Sequence, residues 1–221
     1  MSSISYGVIF DVDGVLVDSY QAHFVTWQAS ARKHGFDCTE AEFALAFGRT
    51  AREVIRESWD SSLSDQWIRD FEDEKESLYR EVISKEFPAI PGAFELIHAL
   101  HDEQIAMAIG SSGPPLNVRA VVQALKAEDA ITTVITGADV KVGKPNPDVF
   151  LQGSKGMQVP PERCVVLEDA VPGLQAARSA GMKCVGVVSS GRSREELADA
   201  DHLVTDLTQL SPELIKQVID G

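Results

Sequence analysis

Asp11 and Asp13 stand two residues apart directly after the apolar run Val8 to Phe10, and Gly14 follows them. Carboxylates at i and i+2 leave an extended chain on the same side. Such a pair can hold a divalent cation, with one member attacking phosphorus while the other exchanges a proton with the leaving group. The plainer reading is a turn built on Asp13-Gly14.

Three further places repeat the pattern of reactive side chains just beyond an apolar run. Ser111 follows Ile105 to Ile109, with Gly110 before it and Ser112-Gly113 after it. Its hydroxyl, the neighbouring Ser112 and exposed N–H groups suit phosphoryl oxygens, since a helix can begin at Pro114 or Pro115. Lys144, in Val142-Gly143-Lys144-Pro145, lies one loop beyond Thr133 to Thr136, where its ammonium can neutralise both a nucleophilic carboxylate and a transferring phosphoryl group. It is not a P-loop lysine, because the spacing from Gly137 to Gly143 is one residue too long and Pro145 replaces the magnesium-binding hydroxyl. Glu168-Asp169 closes Cys164 to Leu167; carboxylates clustered at the end of a buried strand repel one another unless a cation intervenes. Singly these are a loop, an exposed turn and an acidic pair at a helix start. As a set they fall in order at the ends of four separate predicted strands.

The elements that must position them follow from periodicity. Val8 to Phe10, Ile105 to Ile109, Thr133 to Thr136, Cys164 to Leu167, Cys184 to Val188 and His202 to Val204 read as buried parallel strands. Helical stretches alternate with them, such as Ala93 to His101, and Leu174 to Ala180 with Pro172 in its first turn and Gly181 after its end. Alternation of this kind implies an open α/β sheet, whose ligand crevice lies at the carboxyl ends of the strands. Residues 18–87 break the alternation with four helical patterns, Phe24 to Lys33, Glu40 to Phe47, Arg52 to Trp59 and Gln66 to Ser84, and no strand. An inserted helical domain is therefore expected at 18–87, with the core in 1–17 and 88–221, and Pro88 and Pro91-Gly92 marking the return.

With Asp11-Val12-Asp13-Gly14, Ser111, Lys144 and Glu168-Asp169 in this order, the chain resembles the haloacid dehalogenase superfamily along essentially its whole length. The insertion after the first motif is similar to the four-helix cap of the beta-phosphoglucomutase and phosphoglycolate phosphatase type. The resemblance implies a Rossmann-like, doubly wound parallel sheet with this cap inserted. It implies Asp11 as nucleophile, Asp13 as general acid and then base, and Ser111 and Lys144 as phosphoryl-binding groups. It further implies Mg2+ among Asp11, the Asp13 carbonyl, Glu168 and Asp169. The haloalkanoate dehalogenase branch lacks an aspartate at the position of Asp13. His23, Trp27 and the Lys75 to Tyr79 spacing are similar to the same regions of beta-phosphoglucomutases, and Arg52, or alternatively Arg49, resembles the cap cation for a second phosphate. In each case the alternative is a core residue or a solvated helix face.

Gly113-Pro114-Pro115 and Gly143-Lys144-Pro145 resemble phosphatases more than mutases. The expected activity is thus a magnesium-dependent phosphatase acting on a small phosphorylated metabolite, with a phosphohexomutase as the alternative. A phospho-acceptor signalling domain uses a similar acid, hydroxyl and lysine set, but takes its acceptor from a mid-chain strand and needs no cap.

Composition sets bounds on these readings. The 221 residues carry a formal charge of -14, with no basic stripe for a nucleic acid. Cys38, Cys164 and Cys184 are odd in number, far apart and without a CxxC pair, so they read as buried thiols rather than a disulfide or zinc framework. No run reaches membrane-spanning length, and Met1 to Tyr6 has neither the basic start nor the apolar core of a signal peptide. A cytoplasmic monomer without membrane association is expected.

Overall fold

The structure, a computed structural model, describes residues 6–47, 49–189 and 192–221. In chain order the regular elements are β1 (Gly7–Phe10), α1 (Tyr20–Lys33), α2 (Glu40–Ala46), α3 (Ala51–Ser58), α4 (Asp65–Lys85), α5 (Ala93–Asp102), β2 (Ala106–Gly110) and α6 (Pro115–Ala124). After these come β3 (Thr133–Ile135), α7 (Asp148–Met157), β4 (Cys164–Glu168), α8 (Val171–Ser179), β5 (Lys183–Val187), β6 (His202–Val204) and α9 (Pro212–Asp220).

The six strands form one parallel sheet in the order β3-β2-β1-β4-β5-β6. β1 and β4 are buried at every position, as strands covered on both faces must be. The chain winds outward from β1 through β2 to β3, then starts again on the other side with β4, β5 and β6. That reversal puts a topological switch point between β1 and β4, where a doubly wound sheet opens its crevice. Phe10 pairs with Ile109 and with Leu167, so the next residue, Asp11, stands level with Gly110 and Glu168.

Two strands differ from the sequence expectation. β3 and β6 are the sheet edges and only partly buried; Val134 is 42% exposed. Thr136 lies beyond β3, where its N–H and hydroxyl both donate to Asp139 Oδ2. β2 and β5 also sit one residue away from the apolar runs that announced them, because the pairing register rather than hydrophobicity fixes where a ladder begins.

The core packs α7 and α8 onto the sheet through Ile9, Ala108, Phe150, Val166, Leu174, Ala177 and Cys184. Small residues set its spacing. A Cβ at Gly110 would lie 2.8 Å from Phe150 Cδ1, so β2 can end against that ring only as glycine. α8 begins with Pro172 in its first turn, and Gly181 takes φ +75° just past its C-cap, as proline and glycine favour at those places.

The chain divides into two compact units, one reaching Asp18 and resuming at Phe87, the other Ser19–Glu86. The second unit is helical. Thr39 and Thr50 each accept from the N–H of the third helical residue, while Glu42 and Glu53 bond back, so α2 and α3 both start with a capping box. Phe24, Trp27, Phe43, Ile55, Ile68 and Phe71 form its own apolar centre. The three cysteines are buried and free. Among the described residues, no helix is long and apolar enough to cross a membrane.

Candidate active site

Asp11 leaves β1 with its N–H donating to Leu167 O at 2.9 Å, which carries the ladder one residue past the strand. Its buried carboxylate meets Lys144, whose Nζ lies 2.5 Å from Asp11 Oδ1 and 2.7 Å from Glu168 Oε1. The ammonium also stands over the Phe150 ring, 4.8 Å from its centroid. Lys144 thus joins the ends of two neighbouring strands from a loop far along the chain. Burial by itself would lower its pKa, but Asp11 and Glu168 outweigh that and hold it above the usual lysine range. Burial raises Asp11 well above an ordinary carboxylate; Lys144 opposes this, while Glu168, Asp169 and Asp13 add to it.

Glu168 is fully engaged by the protein. Oε1 takes Lys144, and Oε2 accepts from Ala170 N–H at 2.7 Å. Space for this comes from α8, where a Cβ at Gly173 would stand only 1.8 Å from Glu168 Oε1. Asp169 is pushed up to about 7, first by burial and then by Glu168. Ser189 Oγ donates to its Oδ2 at 2.9 Å.

Ser111 is buried at the end of β2, its N–H bonded to Ile135 O and its Oγ accepting from Gly113 N–H at 3.0 Å. Ser112 beside it is exposed. A Cβ added at Gly113 would lie 3.2 Å from Ser111 Oγ and 3.7 Å from Asp13 Oδ2, which places the serine loop beside the second aspartate. Asp13 itself is partly exposed at the start of the turn closed by Gly14 N–H to Val17 O. α6 then begins at Pro115. Asp11, Asp13, Ser111, Lys144, Glu168 and Asp169 therefore share one end of the sheet.

The donor chemistry here suits a hard divalent cation. No three His, Cys, Asp or Glu side chains form a ready-made cation cage among the described residues. The carboxylates of Asp11 and Asp169 are nevertheless lifted out of their ordinary range by burial and by the neighbouring carboxylate of Glu168, and a divalent cation relieves that imbalance.

The helical unit gathers a second set. His23 on α1 stacks on Tyr79 of α4, centroids 4.1 Å apart and planes within 5°. Lys75 Nζ is 3.4 Å from His23 Nδ1, 2.5 Å from Glu76 Oε1 and 5.7 Å from the centroid of Trp27. Trp27 belongs to the apolar centre of this unit. Arg52 pairs with Asp65 at 2.7 Å and Arg49 with Glu57 at 2.7 Å, all on exposed surface.

Ser189, Arg192, Phe150 and Gly173 went unmarked in the sequence. Ser189 sits beside Glu168-Asp169 only because β5 is the neighbour of β4, which no local pattern announces, whereas Gly173 is there because α8 starts directly after β4.

Comparison with known proteins agrees with this geometry. The family model described as haloacid dehalogenase-like hydrolase matches residues 8–187. The chain belongs to that family. Validoxylamine A 7'-phosphate phosphatase of Streptomyces hygroscopicus subsp. limoneus is 30% identical over 209 residues, covering 91% of this chain and 94% of that protein. Beta-phosphoglucomutase of Bacillus subtilis is 30% identical over 222 residues, covering 95% and 93%. The crystal structure of a CbbY variant from Rhodobacter sphaeroides in complex with xylulose-(1,5)bisphosphate superposes with a TM-score of 0.84 at 25% identity, covering 93% of this chain and 96% of that one.

Proposed function

We propose that this protein is a magnesium-dependent phosphatase that hydrolyses a small phosphorylated metabolite, of the sugar phosphate or phosphoglycolate class, through a phosphoaspartate on Asp11. The observation that carries the reading is the buried contact of Lys144 with Asp11 and Glu168 at the switch point of the sheet. A buried cation held by two strand ends draws a nucleophilic carboxylate toward its ionised form, against the burial that favours protonation, and offsets its charge beside an anionic substrate.

In this reading Asp11 Oδ attacks phosphorus, forming the acyl phosphate as the ester oxygen leaves. Asp13, two residues on, donates a proton to that oxygen and then removes one from the attacking water. Ser111 Oγ and the N–H groups of its loop bind phosphoryl oxygens, and Lys144 offsets their charge. Asp11, the Asp13 carbonyl and Asp169, with Glu168 beside them, would hold magnesium, which when bound would supply charge neutralisation between nucleophile and substrate. Glu168 contributes chiefly by fixing Lys144, since both of its oxygens already have protein partners.

The helical unit serves as the substrate-selecting cap, with His23, Lys75 and Arg52 as its candidate contacts. A phosphohexomutase is the second reading, favoured by the identity to the Bacillus subtilis enzyme and by the His23–Lys75 pair. A panel of phosphorylated metabolites assayed for phosphate release, with and without magnesium, tests the proposal. Steady release from at least one of them, lost on chelation, is expected; full turnover in metal-stripped protein would contradict it.

A further inference from the structure

The loop after β5 brings two polar side chains to Asp169. Gly186 pairs with Glu168, so the chain leaving β5 runs alongside the acidic pair. Val188 N–H donates to Val204 O, Ser189 N–H to Val187 O and Arg192 N–H to Ser189 O. Ser189 Oγ then donates to Asp169 Oδ2 at 2.9 Å, and Arg192 Nε stands 3.9 Å from the same oxygen. The opposite side is closed by the first motif, because a Cβ at Gly14 would lie 2.1 Å from Asp169 Oδ2 and 2.8 Å from Ser189 Oγ.

Oδ2 of Asp169 is thus enclosed by a hydroxyl, a guanidinium and a glycine backbone. We propose that Ser189 is a positioning residue for the cation site, holding Asp169 by Oδ2 and so offering Oδ1 to the metal, while Arg192 competes with the metal for the same negative charge. The inference rests on the metal part of the function proposed above and is independent of whether the enzyme is a phosphatase or a mutase. It assigns opposite signs to two neighbours. The hydroxyl fixes the carboxylate and carries no charge of its own, so its loss frees the ligand to rotate and weakens metal binding. The guanidinium is a fixed positive charge beside a site for a positive ion, so its removal strengthens binding, more so at low salt.

The test is calorimetric titration of MgCl2 into metal-stripped protein, a measurement that needs no substrate. Ser189→Ala should weaken magnesium binding by about tenfold, and Ser189→Thr should restore most of it. Arg192→Gln should tighten binding by about threefold at low ionic strength, with the difference shrinking as KCl is added and Arg192→Lys returning to the starting affinity. Affinities of Ser189→Ala and Arg192→Gln within about twofold of the unsubstituted protein, or weaker binding by Arg192→Gln, overturn the proposal. Absence of magnesium binding by the unsubstituted protein is a separate result that overturns the metal assignment as well.

Discussion

Nζ of Lys144 lies 2.5 Å from Oδ1 of Asp11, although 133 residues separate them in the chain. The ammonium is the partner of two buried carboxylates, so its removal leaves both uncompensated. Lys144→Met should lower unfolding free energy by about 3–5 kcal/mol and reduce turnover by about a hundredfold or more. Urea denaturation with a parallel activity assay checks both; a variant with unchanged stability would mean that the contact holds nothing together.

Gly173 in α8 leads to a prediction whose sign is unusual. An alanine inside a helix ordinarily stabilises it by about 1 kcal/mol over glycine. Here the new methyl would meet Glu168 Oε1 at 1.8 Å, forcing the carboxylate off Lys144. Gly173→Ala should therefore destabilise the protein by about 1–3 kcal/mol and depress activity. Thermal melting distinguishes this from the ordinary helix effect, which would raise the melting temperature.

Metal and pH should act together. Asp169 is raised to about 7 in the folded metal-free protein, against about 3.9 for an aspartate in an unfolded chain. A folded value above the unfolded one contributes stability that is fully present below about pH 4 and is lost as pH rises through about 7. Asp11 shifts in the same direction. Magnesium binds the ionised carboxylates and offsets that loss. Metal-free protein should melt lower at pH 8 than at pH 5.5, and magnesium should raise the melting temperature more at pH 8. An equal rise at both pH values would argue against these groups as the ligands.

Phosphatase and mutase diverge after the shared phosphoaspartate. A mutase must exclude water until a sugar hydroxyl returns, whereas Gly113-Pro114-Pro115 beside Ser111 offers few polar side chains to hold such a sugar. Phosphate and hexose phosphate isomers followed together should show continuous phosphate release with no requirement for a bisphosphate activator. Rapid exchange of glucose 1-phosphate and 6-phosphate isomers with negligible release would reverse the order of the two readings.

How much of this was legible in the sequence depends on which residues report locally. Asp11, Ser111 and Glu168 follow short apolar runs, and strand ends are where side chains leave the core, so their shared end of the sheet could be anticipated. Lys144 was visible by type, but its simultaneous contact with Asp11 and Glu168 depends on α7 packing Phe150 against Gly110. The exposure of β3 could not be read from Thr133 to Thr136, because an apolar run does not say whether its strand has one neighbour or two. Ser189 and Arg192 were invisible for a related reason: only the strand order brings the end of β5 next to Asp169. α7 is hard to read from its residues because it holds Gly153 and Gly156 within its span, and glycines weaken a helical pattern.

The most direct test of the account is to find the phosphorylated residue during turnover. Protein quenched while hydrolysing its best substrate, reduced with borohydride to convert the acyl phosphate carboxyl to an alcohol, and mapped by peptide mass spectrometry should carry that mark on Asp11 alone, and Asp11→Asn should carry none and lose activity by about a thousandfold or more. Undiminished turnover by Asp11→Asn, or a mark on Asp13 in place of Asp11, would contradict it.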